Sequence, residues 1–93
     1  MESLATELLQ QLLRFNTVNP PGDERVAQEW LAGVLEEAGF EVSLLGRTTE
    51  RPNLVARLRG DAGGPALCLL SHMDTVLATP SEWQRDPWSG DLV

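Results

Sequence analysis

Residues 66–76 read Ala-Leu-Cys-Leu-Leu-Ser-His-Met-Asp-Thr-Val, and the rest of the chain is best understood outward from them. An apolar run over 66–71 has the pattern of a buried strand and ends at His72, the only histidine in the sequence. Asp74 follows two residues later. In open α/β sheets, ligands sit in the crevice beyond the carboxyl ends of the strands. A strand ending in His-x-Asp is therefore placed to deliver both polar groups to a pocket. In extended chain, residues i and i+2 point to the same side. His72 and Asp74 can act on one object or on each other, whereas Ser71 faces away, which argues against a Ser71–His72–Asp74 nucleophilic triad.

The strand is apolar on both faces, as expected of a central strand covered on both sides. Upstream, residues 53–59 alternate Leu54, Ala56 and Leu58 with Val55, Arg57 and Arg59, the mark of a sheet with one face partly wet. Residues 40–45 supply the strand before that. The loops at 46–52 and 60–65 are too short for the crossover of a dozen or more residues that parallel neighbours require. The three strands are therefore expected to form an antiparallel meander. Arg57 and Arg59 read as a solvated face. The Gly-rich stretch 60–65 lacks the Lys-Ser/Thr of a phosphate-binding loop and leads into a strand, not a helix.

Two helices precede the strands. Over residues 3–15, Leu4, Leu8, Leu9, Leu12, Leu13 and Phe15 form an apolar stripe at helical spacing, with Ser3 as N-cap and Glu7 in the first turn. The polar face is not basic, so a core-packing role is expected and not a membrane-surface one. Over residues 23–38, Val26, Ala27, Trp30, Leu31, Val34, Leu35 and Ala38 repeat the pattern, and Gly39 stands where a C′ glycine ends a helix. Between the helices, Asn-Thr-Val-Asn-Pro-Pro-Gly (16–22) reads as a stiff connector. After Val76 comes a loop holding Trp83, Asp86, Pro87, Trp88, Gly90 and Asp91.

Bulk properties narrow the function. The 93 residues are 42% apolar, a globular composition. Seven basic against 14 acidic residues leave a net charge of −7, which opposes nonspecific nucleic-acid binding and an anionic membrane surface. No apolar run reaches the ~18 residues of a membrane span, and no basic, apolar leader opens the chain. Cys68 is the sole cysteine and cannot form an internal disulfide, so a reducing cytoplasm is the expected setting. The apolar ending, Asp-Leu-Val, gives the expectation that residues 1–93 are the N-terminal piece of a longer protein.

As a metal site, the motif is incomplete. Catalytic zinc keeps three protein ligands and a water. Cys68 lies four residues before His72, roughly 13 Å away in a strand, too far to share an ion. Asp74, about 6.5 Å along, could bind the metal directly or hold the imidazole by a hydrogen bond. A histidine hydrogen-bonded at a strand end, with Asp74 capping the next turn, has the same spacing without any metal.

Ser71-His72-Met73-Asp74-Thr75-Val76 resembles the first metal motif of a co-catalytic zinc family of metallopeptidases and amidohydrolases. The family includes aminoacylase, acetylornithine deacetylase, succinyl-diaminopimelate desuccinylase and carboxypeptidase G. Trp83, Asp86-Pro87-Trp88 and Gly90, the Asn19-Pro20-Pro21-Gly22 turn and Gly39-Phe40-Glu41-Val42 are also similar to family stretches. Ser71 stands where a glycine often precedes the histidine, and Leu77 where a proline often follows. The resemblance implies an α/β fold: the start of a zinc-exopeptidase-like catalytic domain, with two helices and a three-stranded, largely antiparallel portion of a mixed sheet. It implies hydrolysis of amide or peptide bonds in small N-acyl amino acids or short peptides. His72 would be a terminal ligand to one of two zinc ions (other divalent metals such as cobalt could substitute). Asp74 would be the catalytic-site carboxylate that orients a metal-bound imidazole. The bridging aspartate, the paired glutamates and the other ligands would lie beyond Val93, as would a dimerising domain giving a homodimer. A non-catalytic truncated product or small binding module is the alternative, because the piece alone holds too few ligands.

Overall fold

The computed structural model describes residues 3–93. The elements run α1 (Leu4–Arg14), α2 (Arg25–Glu37), β1 (Glu41–Leu45), β2 (Asn53–Arg57) and a short 3-10 turn (Pro80–Glu82). The α/β class and the order of helices before strands are as expected.

Helix α1 starts as its sequence requires. The Ser3 hydroxyl accepts a hydrogen bond from the Thr6 N–H at 3.1 Å, and Glu7 and Arg14 sit at the ends where their charges oppose the helix dipole. Its apolar stripe does not enter a core. None of its residues is fully buried, and Leu4 is 69% exposed. The helix leans by its C-terminal half on the loop before the chain end, where Gln10 Nε2 donates to the Gly90 carbonyl and Arg14 Nε to that of Ser89. Phe15 then meets Trp30 of α2, ring centroids 5.7 Å apart.

Helix α2 is the seat of the core. Ala27 and Ala32 are buried, and so is Gln28, whose amide reaches the Pro52 carbonyl. Val26, read as part of the apolar stripe, is exposed. The helix ends at Gly39, whose φ of +97° a side chain would resist. The Gly39 and Phe40 N–H groups bond back to the carbonyls of Glu36 and Leu35, the two-bond pattern of a Schellman end.

Strands β1 and β2 pair antiparallel, with Val42 opposite Ala56 and Leu44 opposite Leu54. On the other face, Glu41 stands opposite Arg57 and Ser43 opposite Val55. The alternation of residues 53–57 is as expected: Leu54 and Ala56 are half-buried, while Val55 and Arg57 are exposed.

The third strand is a correction. Among the described residues the sheet has two strands, and residues 66–71 carry no regular secondary structure. Leu67, Leu69 and Leu70 are 85%, 87% and 93% exposed. A segment apolar on both faces gains nothing from joining a sheet edge unless both faces are then covered. Among the described residues, α2 is the helix that packs substantially on the hairpin. The chain instead rejoins the fold at Thr75, which makes a parallel bridge to Val18 in the connector after α1, not an antiparallel turn onto β2. No helix among the described residues is long and apolar enough to cross a membrane.

Candidate functional site

His72 and Asp74 act on each other. The imidazole Nδ1 lies 2.9 Å from both Asp74 Oδ1 and the Asp74 carbonyl oxygen. Both partners are acceptors, so Nδ1 carries the proton of the neutral ring. The lone pair is thereby assigned to Nε2, on a side chain 83% exposed.

The Asp74 carboxylate is fully engaged. Its Oδ1 faces His72, and its Oδ2 accepts from Asn19 Nδ2 at 3.0 Å and Arg51 Nη2 at 3.4 Å. The Asn19 hydrogen bond above all, then that from His72, hold its carboxyl below the usual carboxylate range. Desolvation opposes them, and the nearby Arg51 charge adds a lesser push in the lowering direction. A carboxylate held in this way is the kind of partner that orients an imidazole.

The connector 16–22 is the scaffold of this site and more than a spacer. The buried Thr17 donates its hydroxyl to the Met73 carbonyl at 2.9 Å. The Thr75 N–H donates to the Thr17 carbonyl, and the Asn19 N–H to the Thr75 carbonyl. These bonds grip residues 73–75 from one side. Arg51, in the loop between the strands, grips from the other, its Nε at 3.2 Å from both oxygens of the buried Glu24.

Sequence reasoning found His72 and Asp74 and missed Asn19, Thr17, Arg51 and Glu24. The one available signal was Asn19 ahead of two prolines, a polar side chain at a stiffened turn. The arginines it did single out are elsewhere: Arg57 stands opposite Glu41 on the wet face of the hairpin, and Arg59 is exposed. Cys68 is exposed and free. Asp86 is occupied locally, accepting from the Trp88 N–H, and Asp91 pairs at 4.0 Å with Arg14. Among the described residues no group of three or more His, Cys, Asp or Glu side chains could hold a metal ion. His72 by itself offers one nitrogen donor of the kind a zinc ion takes. Two clefts flank the end of α1, one lined by Phe15, Val18, Leu77 and Trp88, the other by Leu13, Val76, Trp83 and Trp88, and neither includes His72 or Asp74.

The resemblance carried by residues 71–76 extends along the chain. It is 43% identical over 86 residues to succinyl-diaminopimelate desuccinylase of Gluconobacter oxydans (strain 621H), covering 88% of this chain and 21% of that protein. It is 40% identical over 89 residues to the succinyl-diaminopimelate desuccinylase of Methylobacterium sp. (strain 4-46), covering 89% and 21%. It is 30% identical over 86 residues to N-formyl-4-amino-5-aminomethyl-2-methylpyrimidine deformylase of Bacillus subtilis (strain 168), covering 88% and 20%. The chain spans about a fifth of the length of these curated relatives. No family model matches it, and no solved structure matches it significantly.

Proposed function

We propose that this chain, a relative of a desuccinylase and a deformylase, is part of a zinc-dependent hydrolase of amide bonds in small N-acyl amino acids or short peptides. The observation that carries the reading is the His72–Asp74 pair: the carboxylate engages Nδ1 and leaves Nε2 as the ring nitrogen open to a metal. The relatives' names describe removal of a succinyl group and of an N-formyl group. The same chemistry is proposed here.

Zinc supplies polarisation of the scissile carbonyl and acidification of water. His72 holds it through Nε2. Asp74 fixes the ring orientation and raises its basicity through the Nδ1–H bond. The remaining ligands and the general base, a glutamate by the resemblance, come from parts of the polypeptide outside these 93 residues. A cytoplasmic setting and a homodimer formed through a further domain belong to the same reading.

The complete polypeptide should bind zinc and hydrolyse N-succinyl or N-formyl amines. His72→Ala should lower kcat/KM on the order of 10³-fold or more and release the metal. Unchanged metal content and activity in that variant would refute the assignment. For the 93 residues alone, the lack of a three-ligand cluster among the described residues favours a second reading, a non-catalytic product or binding module. Hydrolysis by the purified 93-residue chain, abolished by His72→Ala, would exclude it.

A further inference from the structure

Asn19, Arg51 and Glu24 lie outside the His72–Asp74 motif, yet the first two converge on a single oxygen of it, Asp74 Oδ2. Arg51 is itself anchored. Its Nε sits 3.2 Å from each oxygen of Glu24, a carboxylate buried deeply enough to need a cationic partner. The guanidinium packs against Gly22, where φ is +73° and a Cβ would come within 2.7 Å of Arg51 Cζ. The turn at Gly22 therefore leaves room that any side chain would fill. A guanidinium can address two carboxylates at fixed angles through Nε and Nη2, which a lysine ammonium cannot.

A carboxylate with no other partners rotates and exchanges its two oxygens. Two donors on Oδ2 remove that freedom and commit Oδ1 to the imidazole. We propose that Arg51, braced on Glu24 and assisted by Asn19, is a positioning residue for His72: it locks the Asp74 carboxylate so that Nδ1 keeps its proton and Nε2 remains the ligand nitrogen. The inference rests on the metal-ligand reading of His72. The Asp74 carbonyl also accepts from Nδ1 at 2.9 Å and does not depend on Arg51, so the competing possibility is that the backbone alone holds the ring.

The test uses the complete protein and two readouts. In the metal-free form, the ¹⁵N signals of the His72 ring, assigned by their loss in His72→Gln, report which nitrogen is protonated. Arg51→Met should move them from the Nδ1–H form toward a mixture of tautomers, with Arg51→Lys intermediate. Zinc affinity, measured by chelator competition, should fall roughly 10- to 100-fold in Arg51→Met. In an Asp74→Asn background the same substitution should add little further loss. Unchanged ring signals, or an equal loss of affinity in both backgrounds, would assign Arg51 a merely structural role and overturn the proposal. If Arg51→Met does not fold, Glu24→Gln, which loosens the anchor and keeps the guanidinium, should move the signals the same way by a smaller amount; unmoved signals there overturn it too. Zinc retained by His72→Ala would instead remove the ligand reading, and the ring signals would still decide separately whether Arg51 acts through Asp74.

Discussion

The unit made by α2, β1 and β2 and the segment that carries His72 are both rich in aliphatic residues, and they are held in place by different forces. In the first, Ala27 and Ala32 are buried and Leu54 and Ala56 half-buried where the hairpin closes on the helix, so these apolar groups lose water to a neighbour. In the second, Leu67, Leu69 and Leu70 are almost wholly exposed, and the chain is fixed only where polar groups seize it, from Met73 to Thr75. The difference teaches that apolar content does not place a segment; available cover does. The helix–hairpin unit carries its own cover. Residues 66–71 would need lateral strands and a layer on each face.

The comparison can be broken most directly in the buried unit. Ala27→Asp puts an unpaired carboxylate into the packed face of α2 and should cost about 3 kcal/mol or more. Urea unfolding should then show a lost or greatly weakened cooperative transition. A midpoint equal to the parent's would mean that α2 is not seated on the hairpin.

Gly39→Ala is the next largest. Open space surrounds the position, so the whole effect is backbone strain at φ +97°, about 1–2 kcal/mol. Thermal denaturation checks it, and no loss would contradict the left-handed helix end.

The polar grip on the second region has a pH signature. Asp74 ionises below its ordinary value of 3.8 in the folded chain, so the unfolded chain takes up that proton first as pH falls. The stability supplied by the contacts to Asn19, His72 and Arg51 is complete above the ordinary value and disappears as pH drops through the lower folded one. Asp74→Asn should therefore be less stable than the parent near neutral pH and converge with it in strong acid. A gap that persists unchanged in acid would show that ionisation of Asp74 is not what holds residues 73–75.

The smallest effect on stability belongs to the exposed leucines. Leu69→Ser should change the unfolding free energy by no more than about 0.5 kcal/mol. The same substitution should reduce self-association of the 93-residue chain, since an uncovered apolar segment invites pairing. Sedimentation of parent and variant tests this; a strictly monomeric parent would count against it.

Much of the first region was legible in the residues. Gly39 after a 3.6-residue apolar repeat announced the end of α2, and the alternation from Leu54 to Arg57 announced the two faces of β2. In the second region, the i, i+2 spacing of His72 and Asp74 was enough to bring them together, even without the strand that was expected to do so. What escaped was everything gathered around them. Asn19 lies 55 residues before Asp74 and Arg51 lies 23 before it, and no periodicity links such positions. The connector that looked like a spacer became a clamp because its backbone groups at Thr17 and Asn19 found partners at Thr75.

Helix positions, the hairpin and the imidazole–carboxylate pair were determined by the sequence itself, since each arises from preferences acting over a few neighbouring residues. Only the tertiary structure decided that residues 66–71 stay uncovered, and that both oxygens of Asp74 are spoken for. Cover and hydrogen-bond occupancy depend on which distant parts of the chain arrive at the same place, and that is a property of the whole fold.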